Sequence, residues 1–306
     1  MTFEHRHSGI VVGVDGSPAS TTAVEWAAQD AEMRNVPLKL VHAIAPIVPP
    51  TDDGPAVAAV AEYEQLQDDQ ARQIIEQALK VAEEAVSPGW VPNVTSETLK
   101  APMVPALVRL STDAELLVVG SRGQGAVARA LLGSVSSGVV HHAHCPVVVM
   151  HDEAAATARS PQAPVVVGID GSPTSELATA IAFDEASRRG VELVALHAWS
   201  DMGPLGFPSI GWAPIEWRNI RDEEEEVLSE RLSGWQARYP DVGVHKIVVC
   251  DQPAPRLLEQ AQQAQLVVVG SHGRGGFPGM LLGSVSTAVV NTARIPVIIA
   301  RVFPAG

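Results

Sequence analysis

The chain repeats its own sequence, and this repetition constrains the fold more than any other feature does. Four segments of the first half return in the second half in the same order. They are IVVGVDGSP and VVVGIDGSP at 10–18 and 165–173, LKLVHA and VALHA at 38–43 and 194–198, LLVVGSRGQG and LVVVGSHGRG at 116–125 and 266–275, and LLGSVSSGVVHHAHCPVVV and LLGSVSTAVVNTARIPVII at 131–149 and 281–299. An internal repeat of this length predicts two copies of one folding unit.

The spacing between the copies predicts where one unit ends and the next begins. Asp15 and Asp170 are 155 residues apart, whereas Gly120 and Gly270 are 150 residues apart, so the second copy is five residues shorter between these points. Residues 151–163 are small, polar and contain proline, which is typical of a linker. We therefore predict a first domain at 1–150, a linker at 151–163 and a second domain at 164–306.

Within each copy, short apolar runs alternate with helical segments. The apolar runs of the first copy are GIVVGV, LKLVHAI, ELLVV and PVVVM, and a further strand is expected near 93–100. This alternation predicts a parallel sheet with helices on both faces. Aromatic residues are only 4% of the chain, so the core must be built from Val, Leu, Ile and Ala, which suits strands buried on both faces. The predicted fold class is α/β: two tandem Rossmann-like domains, each an open, mostly parallel five-stranded sheet with helices on both faces.

Local signals place the helices of the first copy. Ser17 followed by Pro18 is typical of an N-cap and a first helical turn, and the helix is expected to end near Met33. Further helices are predicted at about 60–86, at about 104–112 and from Ser134. The long helix at 60–86 is expected to be amphipathic. Its predicted apolar face consists of Ile74, Ala78, Leu79 and Ala82.

Charge and composition exclude several classes of function. The formal net charge is −14 and no run of Lys and Arg is present, so binding to nucleic acid is not expected. Cys145 and Cys250 are the only cysteines, which does not make a disulfide framework and favours a reducing compartment. The N-terminus shows no signal-peptide pattern, and no apolar run reaches the roughly 18 residues that span a bilayer. We predict a cytoplasmic protein without membrane insertion.

A glycine-rich segment after the fourth strand is the main functional pattern in each copy. Glycine permits positive φ and close approach to a ligand, successive main-chain amides form concave anion sites, and a helix N-terminus attracts phosphate. The spacing is neither that of a Walker loop nor that of a dinucleotide fingerprint. The alternative, turn glycines with Ser134 as a plain N-cap, is less favoured because both copies keep the spacing. The predicted phosphate cradle consists of Gly120, Ser121, Arg122, Gly123, Gly125, Gly133, Ser134, Val135 and Ser136, and of Gly270, Ser271, His272, Gly273, Arg274, Gly275, Gly283, Ser284, Val285 and Ser286.

Ligands of such sheets bind beyond the carboxyl ends of the strands, where Asp15 and Asp170 are expected. These aspartates either cap the next helix or contact the ligand, and ligand contact is favoured because Ser17 and Ser172 can serve as caps. A Mg²⁺ ion carried with the phosphates fits beside one such carboxylate. The side chains of Arg122, His272 and Arg274 either offset phosphate charge or are solvated, and the sequence leaves both interpretations open.

A histidine–cysteine cluster in the first copy and a group of aromatic residues in the second are two further candidates for a site. His141, His142, His144 and Cys145 would suggest a metal site, but the second copy has Asn291, Thr292, Arg294 and Ile295 in their place, so we predict no metal bound by protein ligands alone. Aromatic residues follow the second strand of the second copy, and they cover either a ligand pocket or an interface. They are Trp199, Phe207, Trp212 and Trp217.

The pattern G-2x-G-9x-G-Ser, with V-D-G-S or I-D-G-S after the first strand and a Cys-Pro or Ile-Pro strand at the end, resembles the universal stress protein family. The resemblance covers nearly the whole chain, twice, and is closest to the tandem two-domain type of actinobacteria. It implies one ATP site per domain, with Asp15 and Asp170 beside the ribose and phosphates. It implies that the main chain of Val41 and Leu196 meets the adenine, that Gly13 and Gly168 close the first strand beside the ligand, and that the glycine loop and its serines hold the phosphates.

The resemblance further implies an ATP-binding regulator in stress or growth-arrest adaptation, with an unknown protein partner. It also implies a homodimer that forms through the last strands of the sheets. The first alternative is a slow ATP hydrolase or phosphotransferase. Efficient phosphoryl transfer needs a positioned base and a cationic clamp, and the sequence shows neither, so at most weak ATPase activity is expected. The second alternative is an interaction scaffold with pockets that are empty or bind cyclic nucleotides.

Overall fold

The structure is a computed structural model that describes residues 9–46, 55–88, 93–123, 132–151, 160–199, 214–274 and 282–301. The chain divides into two compact units, Met1–Ala156 and Thr157–Gly306. Most of the predicted linker, 152–159, lies outside the described residues, as do Gly125 and Gly275 of the predicted cradle. Phe207 and Trp212 also lie outside them.

The first unit alternates strands and helices along the whole described chain. Its elements are β1 (Ile10–Gly13), α1 (Pro18–Arg34), β2 (Leu38–Ile44), α2 (Pro55–Glu84), β3 (Val94–Lys100), α3 (Met103–Leu110), β4 (Leu116–Gly120), α4 (Ser134–His142) and β5 (Val147–Met150). The strands pair in parallel in the order β3-β2-β1-β4-β5. Helix α1 packs against α2, and α3 packs against α4. Right-handed crossovers place these two pairs on opposite faces of the sheet.

The second unit repeats this arrangement. Its elements are β6 (Val165–Gly168), α5 (Pro173–Arg189), β7 (Leu193–Ala198), α6 (Pro214–Arg238), β8 (Val244–Val249), α7 (Pro253–Ala261), β9 (Leu266–Gly270), α8 (Ser284–Thr292) and β10 (Val297–Ala300). The parallel order is β8-β7-β6-β9-β10. The predicted fold class is therefore confirmed for each unit.

Burial of both sheet faces explains the apolar strands. The side chains of Ile10, Val11 and Val12 in β1 are fully buried, as are those of Val147, Val148 and Val149 in β5. Helices cover both faces of a sheet like this one, so its central strands carry almost no polar side chain. Along the chain, β2 and β3 are added in turn on one side of β1, and β4 then pairs with the other side of β1. This reversal opens a crevice between the carboxyl ends of β1 and β4, where ligands bind in such sheets.

The start of α1 follows the sequence signal, whereas the buried face of α2 differs from it. The Ser17 hydroxyl accepts a hydrogen bond from the Ser20 amide at 3.2 Å, which confirms the predicted N-cap. Helix α2 begins at Pro55 rather than near residue 60. Ile74 and Leu79 are only partly buried. The buried residues described on this helix are Ala71, Ile75, Ala78 and Ala82. Ala78 and Ala82 are therefore as predicted, whereas the buried stripe continues through Ile75 and Ala71 rather than through Ile74 and Leu79.

Among the described residues, no helix is both long enough and apolar enough to cross a bilayer.

Candidate functional site

A crevice opens at the carboxyl edge of each sheet. Its volume is about 370 Å³ in the first unit and about 480 Å³ in the second. Predicted residues that line it are Gly13, Asp15, Gly120, Arg122, Gly123, Gly133, Ser134, Val135 and Ser136 in the first unit, and Gly168, Asp170, Leu196, Gly270, His272, Gly273, Arg274, Gly283, Ser284, Val285 and Ser286 in the second. Val41, Ser121 and Ser271 are not among the lining residues. The structure thus brings together segments that are more than a hundred residues apart in sequence.

The first turn of α4 presents main-chain amides to the crevice. The N-cap is Gly133, which has no side chain to accept from these amides, and Ser134 is the first helical residue rather than the cap. The Ser137 amide makes the first intrahelical bond, to the Gly133 carbonyl at 2.9 Å. Helix α8 begins in the same way at Gly283. These ends differ from α1, where Ser17 satisfies an amide, and they are suited to bind an anion.

Ser121 and Ser271 close the loop through their main chains. The Gly133 amide donates to the Ser121 carbonyl at 2.7 Å, and the Gly283 amide donates to the Ser271 carbonyl at 2.7 Å. Both serine side chains are buried. The two residues therefore shape the cradle and do not present their hydroxyls to a ligand.

Ser136 and Ser286 differ from the prediction that they donate to phosphate. The Ser136 hydroxyl donates to the Ser121 carbonyl at 2.8 Å and lies 3.1 Å from the Gly133 carbonyl. The Ser286 hydroxyl donates to the Gly270 carbonyl at 2.5 Å. A hydroxyl has one proton, so these side chains hold the loop against the helix. Ser134 and Ser284 are exposed, and their hydroxyls can point into the crevice.

Gly120 is a loop glycine that close packing requires. Among the described residues of the two sites, Gly16 and Gly171 have positive φ, +77° in each case, and they lie in the turn before α1 and α5. Gly120 has no such φ, but a Cβ there would lie 2.8 Å from the Ala19 Cβ and 2.9 Å from the Ala19 carbonyl carbon. The prediction that the described loop glycines supply positive φ is therefore wrong, because the constraint is the approach of the loop to the helix.

The aspartates tie the strand–helix turn to the glycine loop. Asp15 Oδ1 accepts from the Ser17 amide at 3.0 Å, and Asp170 Oδ1 accepts from the Ser172 amide at 2.9 Å. The other oxygen of Asp170 accepts from the Arg274 amide at 3.1 Å. A Cβ on Gly123 would meet the Asp15 carboxylate. Because the serines are the N-caps, the cap interpretation of the aspartates is wrong, and the carboxylates lie in the crevice wall.

In the second unit, strand β7 supplies main-chain groups at the other end of the crevice, whereas no residue of β2 is among those that line the first crevice. The Val41 carbonyl accepts from the Val14 amide at 2.8 Å, and the Leu196 carbonyl accepts from the Ile169 amide at 2.9 Å. Main-chain groups two residues apart along a strand point to the same side. The peptide groups of Ala43 and Ala198 therefore lie beyond the ends of β1 and β6, and Ala198 lines the crevice. These alanines were not among the predicted site residues, although Ala43 ends the segment LVHA and Ala198 ends its repeat LHA.

Two histidines were also missed as site residues. His42 Nδ1 lies 2.7 Å from the Val14 carbonyl oxygen, and His197 Nδ1 lies 2.6 Å from the Ile169 carbonyl oxygen. Each contact holds the residue that precedes the site aspartate. The signal was present in the sequence, because both copies carry histidine at this position.

The charged loop side chains and the histidine cluster have different surroundings. Arg122, His272 and Arg274 line the crevices, which favours the interpretation that they offset negative charge on a ligand. The His141 and His142 rings meet edge to face at 6.4 Å, and Cys145 is buried. Over the part of the chain that is described, no three His, Cys, Asp or Glu side chains are grouped to hold a metal ion.

Each unit is a doubly wound α/β domain with an amide-lined crevice at the switch point of its sheet, and the chain is a tandem of two such domains. The sequence profile of the universal stress protein family matches residues 8–151 and 163–301. The chain belongs to the universal stress protein family, which confirms the resemblance seen in the motifs.

Similar proteins cover nearly the whole chain. Universal stress protein Rv1996 of Mycobacterium tuberculosis is 62% identical over 315 residues, which cover 99% of this chain and 98% of that protein. Universal stress protein Rv2623 of the same organism is 53% identical over 301 residues, with 98% and 99% coverage. The crystal structure of a universal stress protein from Archaeoglobus fulgidus has a TM-score of 0.67 at 22% identity and covers 97% of this chain and 99% of its own, so it shares the fold.

Proposed function

We propose that this protein binds ATP, with one nucleotide site per unit, and acts as a nucleotide-dependent regulator in stress or growth-arrest adaptation. The uncapped first turns of α4 and α8 carry the proposal. Each presents amides and an exposed serine hydroxyl to a crevice, and the glycines at the end of the fourth strand of the unit line the same crevice. Both volumes fall within the range of about 300–1,000 Å³ that is usual for small-molecule sites.

The two ends of the crevice match the two ends of a nucleotide. The helix N-terminus and the loop amides suit the phosphates. The main chain of Ala43 and Ala198, beyond the second strand, suits the hydrogen-bonding edge of the base. Asp15 and Asp170 lie between these ends, where a carboxylate would hold the ribose or a Mg²⁺ ion that bridges to the phosphates. Mg²⁺ would supply charge neutralisation for the phosphate oxygens.

The lining favours binding over turnover. Phosphoryl transfer needs a group that orients the attacking water and a cationic clamp on the transferred phosphate. No lysine occurs among the described lining residues. Each oxygen of Asp170 accepts one main-chain hydrogen bond, which fixes the carboxylate in place and leaves a lone pair on each oxygen for the ribose or Mg²⁺. We therefore expect hydrolysis to be slow at most.

Release of bound ligand from the purified protein tests the proposal. The protein is denatured, and the supernatant is analysed by mass spectrometry before and after incubation with excess Mg–ATP. About two equivalents of ATP per chain would support the proposal. Mainly ADP with steady phosphate release would replace it with a hydrolase. No nucleotide after incubation, together with no binding heat in calorimetry, would leave an interaction scaffold or a cyclic-nucleotide protein, and cAMP is titrated in parallel.

We also propose a cytoplasmic homodimer that signals its nucleotide state to a protein partner. The proposal of pairing rests on family membership, and multi-angle light scattering with and without Mg–ATP measures the molar mass directly. A mass of one chain at every concentration would contradict it.

A further inference from the structure

We infer that the two nucleotide sites are not equivalent, and that Thr174 is a positioning residue that makes the second-unit site bind more tightly. This inference rests on the proposed function, since it concerns the affinity of the same two crevices. It follows from a difference in how each glycine loop is attached to the helix beneath it.

The loop of the second unit is attached to the start of α5 at several points. The Thr174 hydroxyl donates to the His272 carbonyl, and the Ser172 hydroxyl lies 3.2 Å from the same oxygen. Two residues further on, the Arg274 amide donates to Asp170 at 3.1 Å. The segment that would surround the phosphates is thus bound on both sides of Gly273, to the first turn of α5 on one side and to Asp170 in the preceding turn on the other.

The first unit lacks one of these attachments because the residue at the matching position carries no hydroxyl. Ala19 occupies the position of Thr174, at the same separation of 155 residues as the site aspartates. Alanine has no hydroxyl, so only Ser17 can reach the loop carbonyl from this turn, and its hydroxyl lies 3.3 Å from the Arg122 oxygen. The spacing of helix and loop is the same in both units. A Cβ on Gly120 would lie 2.9 Å from the Ala19 carbonyl carbon, and one on Gly270 would lie 2.9 Å from the Thr174 carbonyl carbon.

A loop that is already held in its binding geometry loses less conformational entropy when the ligand binds. One added hydrogen bond to a partly buried carbonyl corresponds to about a threefold to tenfold gain in affinity. Thr174 lies on the helix side of the loop and acts through the His272 carbonyl. Its role is therefore to position main-chain groups, and the hydroxyl is the part of the side chain that matters.

The end of the crevice where the base would lie also favours tighter binding in the second unit than in the first. Trp199 lines the second crevice, together with His197 and Ala198. The matching residue of the first unit is Ile44, which is 8% exposed and is not among the residues that line the crevice there. An indole offers a flat face on which a base can stack, whereas isoleucine does not.

Site-resolved calorimetry on the full chain tests the inference. Ser134→Glu places a negative charge at the first phosphate site and leaves the second for measurement, and Ser284→Glu does the converse. Mg–ATP should bind the Ser134→Glu chain about tenfold more tightly than the Ser284→Glu chain. In the Ser134→Glu chain, Thr174→Val, which keeps the shape, should weaken binding about fivefold, and Thr174→Ser should restore it.

The reciprocal change is made in the first unit. Ala19→Ser in the Ser284→Glu chain adds the missing hydroxyl and should strengthen Mg–ATP binding about threefold. Equal affinities of the two single-site chains, or a Thr174→Val chain that loses thermal stability without losing affinity, would overturn the inference while the proposed function stands. If the unaltered chain binds no ATP in either unit, the proposed function itself fails.

Discussion

Single residues in the two crevices act mainly through the main chain. The hydroxyls of Ser136 and Ser286 hold carbonyls of the loop, His42 holds the Val14 carbonyl, and Asp170 accepts two amides. The side chains thus fix a set of peptide groups in place, and those peptide groups remain for the ligand. Substitutions at this scale should separate residues that shape the cradle from residues that meet the nucleotide.

Gly120→Ala is expected to destabilise the first unit. The new Cβ would lie within 3 Å of α1 main chain and of the Ala19 Cβ, and overpacking of this kind costs about 1–3 kcal/mol. Thermal unfolding followed by circular dichroism measures the change. Gly133→Ala is the control, because its Cβ would lie 3.4 Å from the nearest atom, the Ser121 oxygen. Equal melting temperatures for both variants would contradict the packing argument.

Asp15→Asn combined with Asp170→Asn tests the proposed Mg²⁺ contact. The amide oxygen can still accept from the Ser17 and Ser172 amides, so the turns should keep their geometry, whereas the charge and the hydrogen bond from the Arg274 amide to the second oxygen of Asp170 are lost. Affinity for Mg–ATP should fall by about tenfold. Affinity for ATP in the presence of a chelator should fall by less than this, because only the Arg274 attachment is lost and a negative charge near the phosphates is removed. A loss of equal size with and without Mg²⁺ would show that the carboxylates do not contact the ion.

At the scale of elements, the start of α4 and the start of α1 perform different tasks although both follow a strand. Helix α1 is capped by Ser17 and forms part of the scaffold. Helix α4 begins at Gly133 without a side-chain cap and meets the crevice. A glycine at an N-cap gives up little helix stability compared with serine, and it leaves the first amides open to an external anion.

Ser134→Glu combined with Ser284→Glu should separate binding from folding. A carboxylate in the first helical turn stabilises a helix by about 0.3–1 kcal/mol, so the melting temperature should hold or rise. The same charge would occupy the anion site, and ATP binding should weaken by at least about a hundredfold. Isothermal titration calorimetry measures both sites.

Ser134→Ala combined with Ser284→Ala is the matched control. It removes the hydroxyls but keeps the amides, so ATP binding should weaken only about threefold to tenfold. If the alanine pair abolishes binding as fully as the glutamate pair does, the hydroxyls rather than the main-chain amides hold the phosphates.

At the scale of the whole molecule, each of the two units should be stabilised against unfolding by the nucleotide that it binds. A ligand at 100 times its Kd stabilises the state that binds it by about 2.7 kcal/mol. Differential scanning calorimetry of the Ser134→Glu chain with Mg–ATP should show this gain for the second unit, and the Ser284→Glu chain should show it for the first. The doubly substituted chain should show no gain, and an equal gain there would place the nucleotide outside both crevices.

The tandem fold could be predicted from the sequence, whereas the hydrogen-bond partners of individual residues in the crevices could not. Apolar periodicity and the Ser17–Pro18 signal act over a few neighbouring residues, and the repeat carries the same pattern into the second half. Together they predicted the strands, the helices and the edge of the sheet that forms the crevice. Two of the four buried residues of α2, Ala71 and Ile75, and the base-end alanines were missed, because they depend on how one element packs against and extends past another.

Sequence alone determined that the chain contains two similar domains, and it predicted that the glycine loops of both lie at the carboxyl edges of their sheets. These properties follow from local patterns that any chain with this order of residues must express. Only the tertiary structure decided which groups remain for a ligand. The Thr174 hydroxyl meets a carbonyl 98 residues away in sequence, and the Ser136 proton is taken by a carbonyl 15 residues earlier. Hydrogen-bond partners at such separations are chosen by the packing of helix against strand, which no local pattern encodes.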